Sequence, residues 1–396
     1  MPKLMNRRCM TALIGSLMLT PLLALPLGNH ACAQETVKIG LLAPFSGPFA
    51  GYGTQFWGGL KTYLSQHGGR IGGRKVEIIR KDTTGPSPEL GQRLTQELIV
   101  QDKVDFIAIG GFTPESITAA MTASRAKVPL LVLNASATDL TAKAPYSVRV
   151  SFSFRQVTTP FGRWASRQGF KRVVTIVTDY APGLDAEKSF IEGFQTGSGK
   201  VIDSLRVPLR NPEFAPFFQR IKDAKPDAVF AWAPAGDQSI ALLKAFRDRG
   251  LPEAGVKLLA LGDMLDSESF ADLGDTLLHT PSTLHYSLAH DSQLNQEFIA
   301  TFAKASGATV KPTFMAVAAY DGAALISKAV QAQTGKLDKR KSLAAMLGVT
   351  LESPRGTIYI DPKTRDITQT VYIRTVEKQG GELRNVETEH YDSVKP

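Results

Sequence analysis

The sequence predicts an α/β protein built from two lobes, each a mainly parallel sheet covered by helices. Short apolar runs typical of buried strands alternate with helical stretches, at one strand–helix unit per about 25–35 residues. The alternation restarts near the middle of the chain without a long linker. The 396 residues suffice for two domains of about 100–200 residues each. We therefore expect two lobes joined by a hinge rather than by a flexible tether.

The first half of the chain contains predicted strands at 37–43, 75–81, 105–109 and 129–133. A helix is predicted over 52–67, and two more begin at Ser87 and Thr113. Each of these two starts combines a capping residue, a proline and an acid, Ser87-Pro88-Glu89 and Thr113-Pro114-Glu115. This succession favours a parallel sheet with helices on both faces.

The second half repeats the pattern and then departs from it. Strands are predicted at 172–178, 200–207, 227–233 and 256–261, and helices at 155–168, 184–195, from Asn211-Pro212-Glu213 to 222, and 237–249. Further helices follow at 293–306, 313–331 and 339–347. The chain ends in strands at 356–360, 369–376 and 383–390, the first two joined by a turn at 361–364. The final strands extend a sheet already begun, so we expect the chain to cross between lobes more than once.

Residues 1–33 have the layout of a secretory signal peptide. Lys3, Arg7 and Arg8 precede an apolar run over 10–27, and a small-residue cleavage site, Ala31-Cys32-Ala33, follows. We expect cleavage after Ala33 and export to the periplasm, with no stable membrane insertion. An uncleaved anchor is the alternative.

The two cysteines, Cys9 and Cys32, both lie in this segment. Cleavage would leave a mature chain without a thiol, a disulfide or a cysteine–metal site. Lipidation of Cys32 stays open, although Asn29 stands where a lipid-acceptor motif has leucine.

The basic charge does not indicate nucleic-acid binding. Lys and Arg total 46 against 37 Asp and Glu, a formal charge of +9. The basic residues are dispersed and are not interleaved with aromatic side chains, so we expect a solvated basic surface and no nucleic-acid partner.

Motifs for catalysis, metals and cofactors fail on inspection. The segment 51–56 begins like a dinucleotide loop but ends in phenylalanine, and Gly197-Ser198-Gly199-Lys200 lacks two residues of a phosphate loop. A nucleophile elbow and a helical His-Glu-x-x-His motif are both missing. The spacing of His279, His285 and His290 does not form one helix face, so surface or loop positions are expected for them. We expect no catalytic residue, no metal and no cofactor.

The loops that follow the strands are the informative segments, because ligands of parallel sheets sit beyond the carboxyl ends of the strands. These loops span 44–53, 110–114, 134–139, 179–183, 233–237 and 262–264. They combine small residues, hydroxyls, amides and aromatic rings, which suits a small carboxylate-bearing ligand with an apolar or aromatic body. The alternative is that Thr113, Ser136 and Asp237 only cap helices, and that Tyr52 and the other aromatic residues only fill the core.

These segments, taken together, resemble the branched-chain amino acid family of ABC-transporter substrate-binding proteins. The resemblance covers nearly all of 36–396 in matching order, carried by residues 37–53, 68–76, Asp82, 134–140, 146–149, 319–323 and Arg355-Gly356. It implies the type I periplasmic binding protein fold: two Rossmann-like lobes with parallel-core sheets, joined by a three-crossover hinge. We expect an N-terminal lobe from 34–152 and 284–356, and a C-terminal lobe from 153–283 and 357–396.

The resemblance also implies ligand contacts at matching positions. In the first lobe these are Tyr52, Phe112, Thr113, Asn134, Ala135, Ser136 and Phe314. In the second lobe they are Tyr180, Pro182, Pro234 and Asp263. Thr113, Asn134 and Ser136 would hold a ligand carboxylate, and Asp263 aligns with an acid that pairs with the ammonium of amino acids. Pro114 and Pro234 replace a hydroxyl and a tyrosine of the amino-acid binders, which is more like members that take aromatic acids.

The expected function is therefore capture of a small carboxylate, an aromatic acid or an amino acid, by hinge closure, and delivery to ABC permease subunits. We expect a monomer. A ligand sensor for a membrane receptor is the first alternative, and a periplasmic enzyme on the same scaffold is the second.

Overall fold

A computed structural model describes residues 36–396. The predicted signal peptide and Cys32 lie outside the described residues. The strands are β1 Val37–Ala43, β2 Arg70–Ile71, β3 Arg74–Asp82, β4 Phe106–Ile109, β5 Leu130–Val132, β6 Ser147–Arg149, β7 Arg172–Thr178, β8 Lys200–Val207, β9 Ala228–Trp232, β10 Lys257–Leu261, β11 Pro281–Leu284, β12 Thr350–Ser353, β13 Gly356–Ile360, β14 Ile367–Gln379 and β15 Glu382–Val394. The helices are α1 Ala50–Gln66, α2 Pro88–Val100, α3 Thr113–Arg125, α4 Leu140–Lys143, α5 Phe154–Arg167, α6 Ala181–Phe194, α7 Ala215–Ala224, α8 Asp237–Asp248, α9 Ser267–Leu273, α10 Gln293–Ser306, α11 Phe314–Gln331 and α12 Lys339–Met346.

The first sheet has the order β2-β3-β1-β4-β5-β6. Its strands pair in parallel except β2 and β3, which form an antiparallel edge. Every residue of β4 and β5 is buried, because helices cover both faces of a parallel sheet. Helix α1 packs against α10 and α11 on this lobe, and α2 packs against α3.

The second sheet runs β12-β13-β14-β11-β10-β9-β7-β8, and β15 pairs with β14. Strands β7 to β11 pair in parallel, whereas β14 is antiparallel to β11 and to β15. The late strands therefore extend a sheet that earlier parts of the chain began, as the sequence predicts.

Helix starts agree only partly with the predicted caps. Ser87 accepts a hydrogen bond from the backbone N–H of Leu90 at 3.3 Å, as predicted for α2. The cap predicted at Asn211 is wrong: Asn211 adopts a left-handed conformation with φ of 48°, and α7 begins at Ala215. Thr113 is the first residue of α3 and not its cap, since Phe112 occupies the capping position.

The chain passes from the first sheet to the second after β6. After β11 it returns to the first lobe as α10 and α11, which pack against α1, and it crosses a third time to reach β12 and β13, which lie beside β14 in the second sheet. A buried polar network joins the first crossing to the strands that follow the third. The Arg355 guanidinium pairs with Asp321 at 2.7 Å and donates to the Val150 carbonyl at 2.6 Å. Gln369 on β14 donates to the Ser151 carbonyl at 2.8 Å. The predicted lobe boundaries at 152, 283 and 356 stay a prediction.

Within residues 36–396, the helices are too short or too polar to qualify as membrane spans.

Candidate ligand-binding site

A partly open cavity with about 350 Å³ of empty space lies between the two sheets. All eleven residues predicted as ligand contacts line it: Tyr52, Phe112, Thr113, Asn134, Ala135, Ser136, Tyr180, Pro182, Pro234, Asp263 and Phe314. Phe152, Phe154 and Trp232 complete the lining. The structure thus brings the whole predicted set together, and contact of these residues with a ligand stays a prediction.

The sheet topology explains why these residues lie together around one cavity. The loops after β4, β5, β7, β9 and β10 all leave the carboxyl ends of parallel strands, which meet at one edge of each sheet. After β1, the chain turns tightly so that α1 starts beside the strand. A side chain at Gly53 would lie 2.3 Å from the Pro44 carbonyl oxygen, so only glycine permits this approach. That turn positions Tyr52 on the cavity.

Aromatic rings form the first-lobe wall. Tyr52 and Phe112 stack with ring centroids 5.2 Å apart and planes at 16°. Phe49 meets the Phe112 ring edge-on at 4.6 Å. Both Tyr52 and Phe112 are nearly fully buried, and such pairs keep fixed orientations because their contacts are worth about 0.5–1.5 kcal/mol beyond burial. The wall is flat and apolar.

A second aromatic cluster faces it from the other lobe and the first crossing. Tyr180 and Trp232 stack at 5.6 Å, and Phe154 meets Trp232 edge-on at 4.9 Å. Phe152 extends this wall to Phe314, with ring centroids 5.7 Å apart. The cavity is therefore lined by aromatic rings from both lobes, which suits a planar apolar ligand body.

The start of α3 supplies polar groups. The Thr113 hydroxyl is buried and has no hydrogen-bond partner among the described residues. It is not a cap, because Phe112 holds the capping position of α3, where the Glu115 carboxyl accepts its backbone N–H. Burial raises the pKa of Glu115 to about 8, so this side chain is largely neutral at pH 7. A carboxylate beside Thr113 would meet the positive end of α3 without a facing negative charge.

Asn134 and Ser136 fix the neighbouring loop. The Asn134 amide donates to the Gly111 carbonyl at 3.0 Å, which links the loops after β4 and β5. The Ser136 carbonyl accepts the Phe154 N–H at 3.2 Å, which links the loop to the start of α5. Ser136 lines the same cavity as Thr113, so the first lobe presents two hydroxyl-bearing residues to it.

Asp263 lies opposite, at the end of β10. One of its carboxyl oxygens accepts the Trp232 indole N–H at 2.9 Å, and the other is buried with no partner among the described residues. Burial raises the pKa of Asp263 to about 7, and the indole hydrogen bond and the Arg374 guanidinium act in the opposite direction. The unpartnered oxygen can accept a hydrogen bond from a ligand.

Contacts across the cleft close the cavity. The Tyr52 hydroxyl donates to the Ala235 carbonyl at 3.4 Å, and the Thr138 N–H donates to Asp185 at 3.2 Å. Each contact joins a residue near the first sheet to one near the second. The structure is therefore a closed form.

Sequence reasoning missed three residues of the cavity lining. Phe152 and Phe154 lie in the first crossing and not in a loop after a parallel strand of the sheet core. The expectation that ligands bind beyond the carboxyl ends of parallel strands therefore does not point to them. Trp232 is the last residue of β9, so its position at a strand end was a usable signal. His285, expected at a surface or loop position, lies in the loop after β11 but is fully buried. Its ring centroid is 5.0 Å from that of Phe152 and 5.9 Å from that of Phe314. Burial lowers the pKa of His285 well below its usual range.

Comparisons with known proteins extend over almost the whole described chain. The family model described as periplasmic binding protein matches residues 36–382. The Leu/Ile/Val-binding protein homolog 6 of Brucella melitensis is 38% identical over 91% of this chain and 92% of its own length.

Two solved structures have higher sequence identity to this chain than that relative has. The solute-binding protein of an ABC transporter from Rhodopseudomonas palustris BisB5, in complex with 3,4-dihydroxybenzoic acid, is 45% identical, with a TM-score of 0.87. Another from R. palustris, in complex with 4-hydroxybenzoate, is 41% identical with the same TM-score. Each match covers 91% of this chain and 98% of the other. Two lobes, three crossings and a cavity between the sheets accompany this similarity, and the chain belongs to the periplasmic binding protein family of ABC-transporter substrate-binding proteins.

Proposed function

We propose that this protein captures a small aromatic carboxylate in the periplasm and delivers it unchanged, as a monomer, to the permease of an ABC importer. The observation that carries the proposal is the cavity between the sheets, with about 350 Å³ of empty space, lined by aromatic rings and by the unpartnered Thr113 hydroxyl. A benzoate-sized ring would fill the space between the Tyr52–Phe112 pair and the Tyr180–Trp232 pair.

The relatives support an aromatic ligand over a branched-chain amino acid. Two solved relatives above 40% identity are complexes with hydroxylated benzoates, whereas the relative named for leucine, isoleucine and valine is 38% identical. The cavity agrees with the first group, because rings stack on rings with a geometry that aliphatic side chains do not require.

The carboxylate would lie at the start of α3. Thr113 and Ser136 supply hydroxyl donors there, and the helix N-terminus favours a negative charge. A protonated Glu115 keeps a second negative charge away from the ligand anion.

Asp263 would accept a ring hydroxyl and not an ammonium group. The Arg374 guanidinium lies close enough to influence the Asp263 carboxyl, so a cationic ligand group at Asp263 would also face this positive charge. A neutral hydroxyl donates to the free Asp263 oxygen without that repulsion.

Isothermal titration calorimetry with 4-hydroxybenzoate, benzoate and leucine tests the proposal. We expect micromolar dissociation constants for the aromatic acids, about −8 kcal/mol, and leucine binding weaker by about a hundredfold or more, a difference of about 3 kcal/mol. Leucine binding as tight as 4-hydroxybenzoate binding would reject the proposed ligand class.

A further inference from the structure

A second cavity with about 480 Å³ of empty space adjoins the ligand cavity. The two share Asp263 and Phe314 in their linings, so they adjoin at these residues. We call it the second chamber, and Leu265, Phe270, Leu284, Leu288, Arg374 and Asn385 are among its walls. Its walls come from β10, β11, β14 and β15 and from the segments beside them.

The second chamber contains buried polar groups without protein partners. The Asn385 side-chain oxygen is buried and unpartnered among the described residues, like the free oxygen of Asp263. Asn385 is held in place because its amide donates to the Leu265 carbonyl at 2.8 Å. Native proteins satisfy nearly all buried polar side chains, so these two unpartnered oxygens are acceptors that a hydrogen-bond donor in the chamber can satisfy.

Arg374 adds a buried positive charge. Its guanidinium donates to the Tyr286 carbonyl at 2.5 Å and to the Ser282 hydroxyl at 3.3 Å. Among residues 36–396, it has no carboxylate within ion-pair distance. A side chain at Gly262 would lie 1.8 Å from the guanidinium, so glycine is needed where Arg374 reaches the chamber.

We propose that the second chamber receives the distal substituent of longer aromatic acids, specifically a short apolar stem that ends in a hydroxyl group. This inference rests on the proposed function, because the aromatic ring and its carboxylate occupy the ligand cavity. The stem passes between Asp263 and Phe314 and contacts the leucine side chains. The terminal hydroxyl donates to Asn385 and accepts from Arg374.

The charges of the chamber select this neutral group. A terminal ammonium would lie beside the Arg374 guanidinium, and a terminal carboxylate would lie between the acceptor oxygens of Asp263 and Asn385. A hydroxyl alone both donates and accepts at one atom. Beyond Leu288 and Leu383, the chamber adjoins a surface groove with about 1160 Å³ of empty space, so a stem of a few atoms is not blocked at its end.

Calorimetry with 4-(2-hydroxyethoxy)benzoate and 4-hydroxybenzoate tests this inference. Leu288→Trp fills the second chamber without altering the lining of the ligand cavity. Leu184→Trp is the matched control, since Leu184 is 39% exposed and lines neither cavity. We expect the wild type and Leu184→Trp to bind both acids. We expect Leu288→Trp to lose affinity for the longer acid by about tenfold or more, because its stem loses several apolar contacts, and to retain 4-hydroxybenzoate within about twofold.

Retained 4-hydroxybenzoate binding also shows that Leu288→Trp is folded. If the wild type binds 4-hydroxybenzoate and not the longer acid, the second chamber takes no substituent and the proposed function is untouched. Equal losses of both acids in Leu288→Trp would likewise overturn the inference. If no aromatic acid binds the wild type, the proposed function fails as well.

Discussion

Thr113 and Glu115 have different roles in the first turn of α3: Glu115 binds a backbone N–H, and Thr113 lines the cavity. Glu115 accepts the Phe112 backbone N–H, as the acid at the third helical position of a capping box does. The Thr113 hydroxyl, at the first helical position, is unpartnered on the cavity. A buried hydroxyl without a partner is unfavourable in the empty protein. A ligand that forms a hydrogen bond with it removes this penalty, and the binding free energy becomes more favourable.

Thr113→Val tests this role, because valine keeps the shape and removes the hydroxyl. We expect 4-hydroxybenzoate affinity to fall by about tenfold or more, since a hydrogen bond to a charged group contributes about 1.5–3 kcal/mol. Thr122→Val on the same helix is the control: its hydroxyl bonds to the Thr118 carbonyl and it lies off the cavity. Calorimetry that shows equal affinities for both variants would remove Thr113 from the site.

Glu115 makes stability depend on pH. Its pKa is about 8 in the folded protein, above its ordinary value of 4.5, so the folded state binds more protons than the unfolded state between these limits. The free energy of unfolding therefore falls as pH rises through this window, by about 1.4 kcal/mol per pH unit for a single group. Asp263, whose pKa is raised to about 7, acts in the same direction.

Glu115→Gln should flatten this dependence, because glutamine keeps an acceptor for the Phe112 N–H and does not ionise. Urea unfolding of wild type and variant at about pH 5 and about pH 8 measures the difference. A variant with the same pH slope as the wild type would show that Glu115 titrates normally.

The elements that connect the lobes depend on a buried ion pair. Arg355 follows β12, pairs with Asp321 on α11 and also bonds to the Val150 carbonyl in the first crossing. Both side chains of the pair are about 1% exposed. Removing one partner leaves the other charged and buried without compensation, which is costly.

Arg355→Met should lower the free energy of unfolding by about 3–5 kcal/mol. Arg93→Met is the control, because the Arg93–Glu97 pair lies on α2 with Arg93 61% exposed, and it should change stability by less than about 1 kcal/mol. Denaturant unfolding compares the two. Similar small losses for both variants would mean that the crossing network contributes little.

The sequence predicts the elements of this fold better than their terminal residues. The predicted helix over 293–306 matches α10, and the predicted turn at 361–364 joins β13 to β14 as expected. The Asn211 cap fails because that residue has a left-handed backbone and α7 begins only at Ala215. Strand ends and the family resemblance together gave the eleven predicted residues that line the cavity, among them Phe314 at the start of α11. They did not reveal Phe152 and Phe154, whose position depends on how the chain crosses between sheets.

At the scale of the whole molecule, the two lobes act as one binding surface. Tyr52 reaches the Ala235 carbonyl and Thr138 reaches Asp185 only when the lobes are closed. A ligand that contacts both aromatic clusters binds the closed form better than an open one, and this difference in affinity favours closure. The second chamber lies beside the same cleft, so longer ligands would also favour closure of the lobes.

A crystal structure of the mature protein with 4-hydroxybenzoate tests the central claim most directly. We expect the ring between the Tyr52–Phe112 and Tyr180–Trp232 pairs, with its carboxylate on Thr113 and Ser136 and its hydroxyl on Asp263. A ring bound outside this cavity, or a cavity that stays empty at saturating ligand, would contradict the account.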